Sequence, residues 1–236
     1  MKLLIIISIL IAVNLLGSDI KLIEAAKAGN ISKVKSILAL GDNVNRAGKG
    51  GASALMWASK NNELDVVKLL VKNGANINMQ DAGGFHALIY ASSEGNIEVV
   101  KFLLDMKADI DLATNNGKNA LLYAIKSEQL DVAKLLISSG ASIKAKDMNG
   151  CGVLCQAIQT ESLDTVELLV SKGADANEMD HENHTVLMAA SEMGSKEIVS
   201  LLLANGVDKK LKDSNDYRAV DYAQEEEFDE IVKLLK

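Results

Sequence analysis

Three observations predict an all-α fold, a solenoid of helical hairpins with loops projecting between the repeats. The first is a fixed period of 33 residues. Ala58, Ala91, Ala124, Ala157, Ala190 and Ala223 keep that step, and so do Leu55, Leu88, Leu121, Leu154, Leu187 and Val220. A fixed period in this range marks stacked supersecondary units. The second is the apolar spacing inside one period. Leu88 and Ala91 share a helical face, while Ile97, Val100, Leu103 and Leu104 form a second stripe. Gly95 separates the two, so the unit is two short helices joined by a tight turn and followed by a loop. The third is the series Gly74, Lys107, Gly140, Gly173 and Gly206. Its glycines fall where second helices end in a left-handed cap.

In chain order, residues 1–18 stand apart. Lys2 precedes an apolar run, Leu3 to Leu16, broken only by Ser8 and Asn14. Gly17 and Ser18 then give way to Asp19. This reads as a signal peptide. The run has 14 residues, against about 20 needed to cross a bilayer. Leu16 is not the small residue that a cleavage site after Ser18 favours, so an uncleaved N-terminal anchor is the alternative. Lys2 places the repeats across the membrane in both cases. No cysteine follows that could take a lipid.

Residues 20–45 lack a leading loop and form an N-terminal capping repeat. Full repeats follow at 49–81, 82–114, 115–147, 148–180 and 181–213, and residues 214–236 form the C-terminal cap. No helix here is long enough to be stable alone, so each buries its stripe against neighbouring units. The small residue at the Ala91 position allows close packing, and a larger one would overpack it. Lys107 departs from the glycine series, which makes the repeat at 82–114 locally weaker if its φ is positive. Glu225, Glu226, Glu227, Asp229 and Glu230 supply the polar outer face that a terminal cap needs. Residues 46–50, Arg-Ala-Gly-Lys-Gly, depart from the acidic turn at Asp81, Asp147, Asp180 and Asp213, and this loop tip is expected to be mobile.

Residues 51–78, from Gly-Ala-Ser-Ala-Leu-Met-Trp-Ala-Ser to Leu-Asp-Val-Val-Lys-Leu-Leu-Val-Lys-Asn-Gly-Ala-Asn-Ile-Asn, resemble the ankyrin repeat, and their copies extend the likeness over about residues 20–236. The family start is Gly-x-Thr-Pro-Leu-His-x-Ala-Ala. Here Ala54, Ala87, Ala120, Val153, Val186 and Ala219 take the proline place, and the family histidine is also absent. Each lost proline costs a few tenths to about 1 kcal/mol through unfolded-state entropy. The resemblance, closest in kind to exported bacterial ankyrin-repeat proteins, implies a non-catalytic protein-binding module with a concave surface of first helices and loop tips.

Charge is uneven. Residues 1–118 carry 13 Lys/Arg and 11 Asp/Glu (+2), whereas residues 119–236 carry 12 and 21 (−9). The acidic half disfavours nucleic acid as a partner and suits a protein with a basic patch, although solvation of an outer face is the better explanation of it. No P-loop, dinucleotide fingerprint, His-Glu-x-x-His or Gly-x-Ser-x-Gly occurs, so no enzyme activity, cofactor or metal is expected. His181 and His184, beside Asp180 and Glu182, read as an exposed loop rather than a metal site. His86 replaces the family threonine and reads as a local cap or loop residue.

Cys151 and Cys155 leave open either two free thiols or a disulfide, since an exported chain favours pairing. Cys155 takes the family histidine place, which is usually largely buried. Trp57, Tyr90 and Tyr123 repeat on successive first helices, yield to Gln156 and Ala189, and resume at Tyr222. They either pack between units or form a partly exposed binding ladder. Trp57, Phe85, Tyr90, Lys118 and Tyr123, with Asp180 and Glu182 toward the acidic end, are the expected protein-binding residues. The expected protein is a capped monomer, secreted or periplasmic, that contacts the membrane transiently through its signal peptide.

Overall fold

The computed structural model describes residues 21–236. Residues 1–18, and with them the signal-peptide and anchor readings, lie outside this range. The chain divides into two compact units, one ending at Asn115 and the other beginning at Asn116.

The first unit contains α1 (21–27), α2 (Ile31–Ala39), α3 (Ala54–Lys60), α4 (Leu64–Lys72), α5 (Ala87–Ser93) and α6 (Ile97–Asp105). The second contains α7 (Ala120–Lys126), α8 (Leu130–Ser138), α9 (Val153–Gln159), α10 (Leu163–Ser171), α11 (Val186–Glu192), α12 (Lys196–Ala204), α13 (Ala219–Glu225) and α14 (Asp229–Leu235). The described residues form no extended strand; Ala47–Ser53, Lys146–Gly152 and Met179–Thr185 pair as isolated antiparallel bridges.

Within each unit, first helices pack on first helices and second on second. In the first unit α3 meets α4 and α5, and α4 meets α2 and α6. In the second, α7, α9, α11 and α13 follow one another in one layer, and α10, α12 and α14 in the other. The alanine series explains the close first layer. Ala58, Ala91, Ala124, Ala157, Ala190 and Ala223 are all fully buried, so no side chain holds the helices apart. The second helices bury a narrow stripe each, for example Val99, Val100 and Leu103 on α6 and Ile198, Val199 and Leu202 on α12.

Backbone conformation repeats with the same period. Positive φ occurs in the hairpin turn (Gly29, Asn62, Gly95, Glu128, Glu161, Gly194, Glu227), after the second helix (Gly41, Gly74, Lys107, Gly140, Gly173, Gly206) and at the loop tip (Gly51, Gly84, Gly117, Gly150, Asn183, Asp216). Gly50 stands outside these series. Lys107 has φ of 65°, the strained value anticipated for it. Asparagine side chains tie loops to the next repeat. Asn45 donates to the Gly74 carbonyl at 3.0 Å and accepts from the Asn76 amide at 2.6 Å, and Asn78 accepts from Asp109 at 2.9 Å. This is the physical role of the Gly-Ala-x-x-Asn tail.

In the loop at 46–50 the Arg46 side chain pairs with Asp42 at 3.8 Å. Gly48 donates to the Ala52 carbonyl at 2.9 Å, and residues Lys49–Gly51 form a 3-10 turn. A regular turn stands here where Asp81, Asp147, Asp180 and Asp213 supply a side-chain anchor in their own loops.

Candidate functional site

Four of the loops that precede first helices are organised by an aspartate, Asp81, Asp147, Asp180 or Asp213. Asp81 accepts from the Gly83 and Phe85 amides, both at 2.9 Å, and its second oxygen takes the Tyr90 hydroxyl at 2.7 Å. Asp213 repeats the pattern with Asn215, Tyr217 and the Tyr222 hydroxyl. Asp147 binds the Asn149 and Cys151 amides and pairs with Lys118 at 3.3 Å. Asp180 binds the Glu182 and His184 amides at 2.8 and 2.9 Å. Asp180 thus shapes its loop, while the exposed Glu182 uses its carbonyl to accept from the Ser214 amide and hydroxyl.

First-helix starts are capped in several ways. Ser53, Asn119 and Thr185 accept from the amides of Met56, Leu122 and Met188. The Met56 and Met188 sulfurs accept in return from the cap amides at 3.3 Å, so methionine fills the place of the family histidine. Gly152 has no side chain to offer. The Glu178 carboxylate reaches across instead and accepts from the Cys155 amide at 2.9 Å. A β-carbon at Gly152 would lie 2.3 Å from a Glu178 oxygen, so the glycine is what admits the carboxylate. Burial raises the Glu178 pKa, and its backbone donors and Lys146 oppose that shift.

His86 takes the N-cap position of α5, as a cap or loop residue would, but its side chain turns inward. Its ring is fully buried and makes no side-chain cap. Nε2 lies 3.1 Å from the Leu112 carbonyl, and Nδ1 has no partner. Burial lowers its pKa, so the neutral ring donates through Nε2.

Cys151 and Cys155 are joined as a disulfide, with Cα atoms 5.4 Å apart. Cys151 is buried and Cys155 is only half-buried, the reverse of what the family histidine place suggested for Cys155. The loop turns Cys151 inward, while Cys155 lies beside the Glu178 carboxylate at the helix surface. His181 and His184 do not converge. His181 is exposed, whereas His184 sits edge-on to Tyr222 at 5.0 Å and 3.9 Å from Glu192. No group of three or more His, Cys, Asp or Glu among the described residues could hold a metal ion.

The expected binding residues fall into separate groups. In the first unit, Trp57, Tyr90 and Phe85 are half-buried and adjoin one another along α3 and α5. Lys27 lies over the Trp57 ring at 4.7 Å, Lys60 lies 5.8 Å from Trp57 and 5.7 Å from Tyr90, and the Phe85 and Tyr90 rings are 5.5 Å apart. A small recess lined by Ala52, Met56, Trp57, Lys60 and Tyr90 opens there. In the second unit Lys118 is tied down by Asp147 and by the side-chain amide oxygen of Gln156. Tyr123 is half-buried on α7, apart from Asp180 and Glu182.

Two features escaped the sequence reading. One is Glu178, whose distance from α9 in the chain hides its capping role. The other is Tyr217, which stands 132 residues after Phe85, four periods, and faces Tyr222 as Phe85 faces Tyr90. The register alone could have revealed that second pair.

The helix pairs, their 33-residue step and the aspartate-bound loops are matched by family comparison. Ankyrin repeats (3 copies) match residues 81–147 and 154–236, and ankyrin repeats (many copies) match residues 55–104. The chain belongs to the ankyrin-repeat family. The ankyrin repeat domain of Bcl-3, a unique member of the IkappaB protein family, superposes with a TM-score of 0.81 at 27% identity, over 90% of this chain and 97% of that one. The human ASB11 ankyrin repeat domain gives 0.79 at 24% identity, over 91% and 97%; at that identity the likeness speaks for the fold alone. No curated protein matches the sequence. Ankyrin membership carries the family's generic role, protein–protein interaction on a non-catalytic scaffold.

Proposed function

We propose that this ankyrin-repeat chain is a monomeric protein-binding scaffold acting outside the cytoplasm, in a secreted or periplasmic setting, and that it engages its partner through the exposed edges of its first helices. The observation that carries the reading is the exposure pattern of those helices. On α3, α5 and α7 most residues are buried, yet Trp57, Tyr90 and Tyr123 remain half-open at one shared register. Rigid aromatic side chains held at a surface suit binding hot spots, because little conformational freedom is lost on association. The extracytoplasmic setting draws support from the apolar run Leu3–Leu16 and from the Cys151–Cys155 disulfide, a bond favoured in oxidising compartments.

Retention of residues 1–18 would make the same scaffold an anchored accessory or chaperone-like protein of another exported protein. No helix of the described residues is long and apolar enough to cross a membrane. In-cell crosslinking of the tagged chain, followed by mass spectrometry of its N-terminus and its captured partners, tests both points. A chain beginning near Asp19 with one dominant exported partner is the expected result. Recovery from the cytoplasm would refute the location. Undiminished capture by a folded Trp57→Ala/Tyr90→Ala/Tyr123→Ala variant would refute the binding edge.

A further inference from the structure

One aromatic pair is built twice in this chain, in opposite electrostatic surroundings. In the first unit Phe85 and Tyr90 lie 5.5 Å apart, and Asp81 holds the Tyr90 hydroxyl. In the second, Tyr217 and Tyr222 lie 5.6 Å apart, and Asp213 holds the Tyr222 hydroxyl. The first pair has Lys60 of the preceding first helix 5.7 Å from Tyr90. The corresponding residue beside the second pair is Glu192, four periods after Lys60, and the next residue at that register is Glu225. Both carboxylates act on the Tyr222 hydroxyl, whose pKa burial and the Asp213 hydrogen bond push up further.

We propose that the α11–α13 face of the second unit binds arginine side chains in an extended basic segment of the partner protein, an assignment that rests on the scaffold reading above. The rings are accessible. Tyr217 is 37% exposed and lines an open depression with Asn215, Gln224 and Glu225. Two carboxylates at its rim are already paired, Asp216 with Lys212 at 3.2 Å and Asp221 with Arg218 at 3.1 Å. Glu225, which accepts from the Tyr217 hydroxyl at 2.8 Å, and Glu192, 3.9 Å from His184, are both exposed and keep oxygens to offer.

A planar guanidinium satisfies both features of this face. It stacks on an aromatic ring while its fork of N–H donors meets a carboxylate. An anionic or purely apolar segment would leave the carboxylates opposed or unpartnered. The wider charge agrees, since residues 181–236 carry 7 Lys/Arg against 12 Asp/Glu, a net −5. That field favours encounter with a basic segment.

The test uses the full chain and a fluorescein-labelled Gly-Arg-Gly-Arg-Gly-Arg-Gly peptide, followed by anisotropy, beside the same peptide with Asp for Arg. The arginine peptide is expected to bind and the aspartate peptide not to. Glu192→Gln/Glu225→Gln should weaken binding about tenfold, and Tyr217→Ala by a similar factor. Glu98→Gln removes an exposed carboxylate of α6, paired with Lys101 and outside both aromatic pairs, and should leave affinity unchanged. Circular dichroism confirms folding, and the exposed glutamate changes provide a readout if Tyr217→Ala disturbs the loop. Unchanged affinity in the double glutamine variant, equal loss from Glu98→Gln, or equal binding of the aspartate peptide would overturn the assignment. A cellular partner captured equally well by the double glutamine variant would overturn this site and leave the scaffold standing. Failure of the unaltered chain to capture any protein would count against the scaffold reading itself.

Discussion

Replacing Lys107 by glycine relieves backbone strain at that position. Lys107 has φ of 65°, in the series that otherwise reads Gly41, Gly74, Gly140, Gly173 and Gly206. At each of those five glycines a β-carbon would meet no atom within 4 Å, so a side chain at this register costs dihedral strain without a clash. That strain is about 1 kcal/mol or somewhat more for an L-residue. Glycine's larger unfolded-state entropy offsets part of the gain. A second offset is the lysine charge after the end of α6, worth a few tenths to about 1 kcal/mol against the helix dipole.

Lys107→Ala keeps the strain and removes the charge, so comparing it with Lys107→Gly isolates the backbone. The glycine variant should exceed the alanine variant by about 1 kcal/mol in urea unfolding. For a chain of this size that is a rise of about 2–4 °C in Tm. Gly140→Ala should lose a similar amount. Equal stabilities for Lys107→Gly and Lys107→Ala, with no loss in Gly140→Ala, would show that φ does not govern this position.

The buried His86 gives a pH dependence of definite sign. Its folded pKa lies below the ordinary 6.5 because of burial, so the unfolded chain binds the proton more readily. Stability should therefore be fully present above about 6.5 and fall as pH drops through that value toward the folded pKa. His86→Asn should flatten this arm of the curve and leave the lower-pH loss, where carboxylates such as Asp213 and Asp221 with depressed pKa values titrate. The fully buried Ser92 hydroxyl has no partner, so Ser92→Ala should stabilise by about 0.5–1 kcal/mol in chemical denaturation. Reducing Cys151–Cys155, which closes a loop of sequence separation 4, should cost on the order of 2 kcal/mol. Unfolding with and without a reductant, using Cys151→Ser/Cys155→Ser as the control, measures that change.

The fold was legible because the constraints on it repeat. Ala91 and its equivalents must be small for first helices to touch, and the glycines after second helices must reach positive φ, so both leave marks every 33 residues. Lys107 could be read as strained from that series alone. Long-range substitutions leave no such mark. Gly152 lacks a capping side chain, and Glu178 supplies the missing oxygen from the following loop. His86 had no partner visible in sequence because it turns inward to a main-chain carbonyl, that of Leu112. The inward turn of Cys151 and outward position of Cys155 depend on the loop that Asp147 shapes, and spacing alone did not reveal it.

The aromatic residues show why register identifies candidate sites more readily than their chemistry. Packing and exposure are not alternatives for Tyr90 and Tyr222. Each hydroxyl is held by the loop aspartate nine residues before it, while each ring stays half-open beside a second aromatic. The hydrogen bond fixes the ring and lowers the entropy lost when a partner covers it. Two identical anchors would give a partner no reason to prefer one over the other. The residue from the preceding first helix, Lys60 for one pair and Glu192 for the other, breaks that equivalence. On this scaffold the repeated residues therefore set the geometry, and the residues that vary at a shared register set the chemistry each anchor presents.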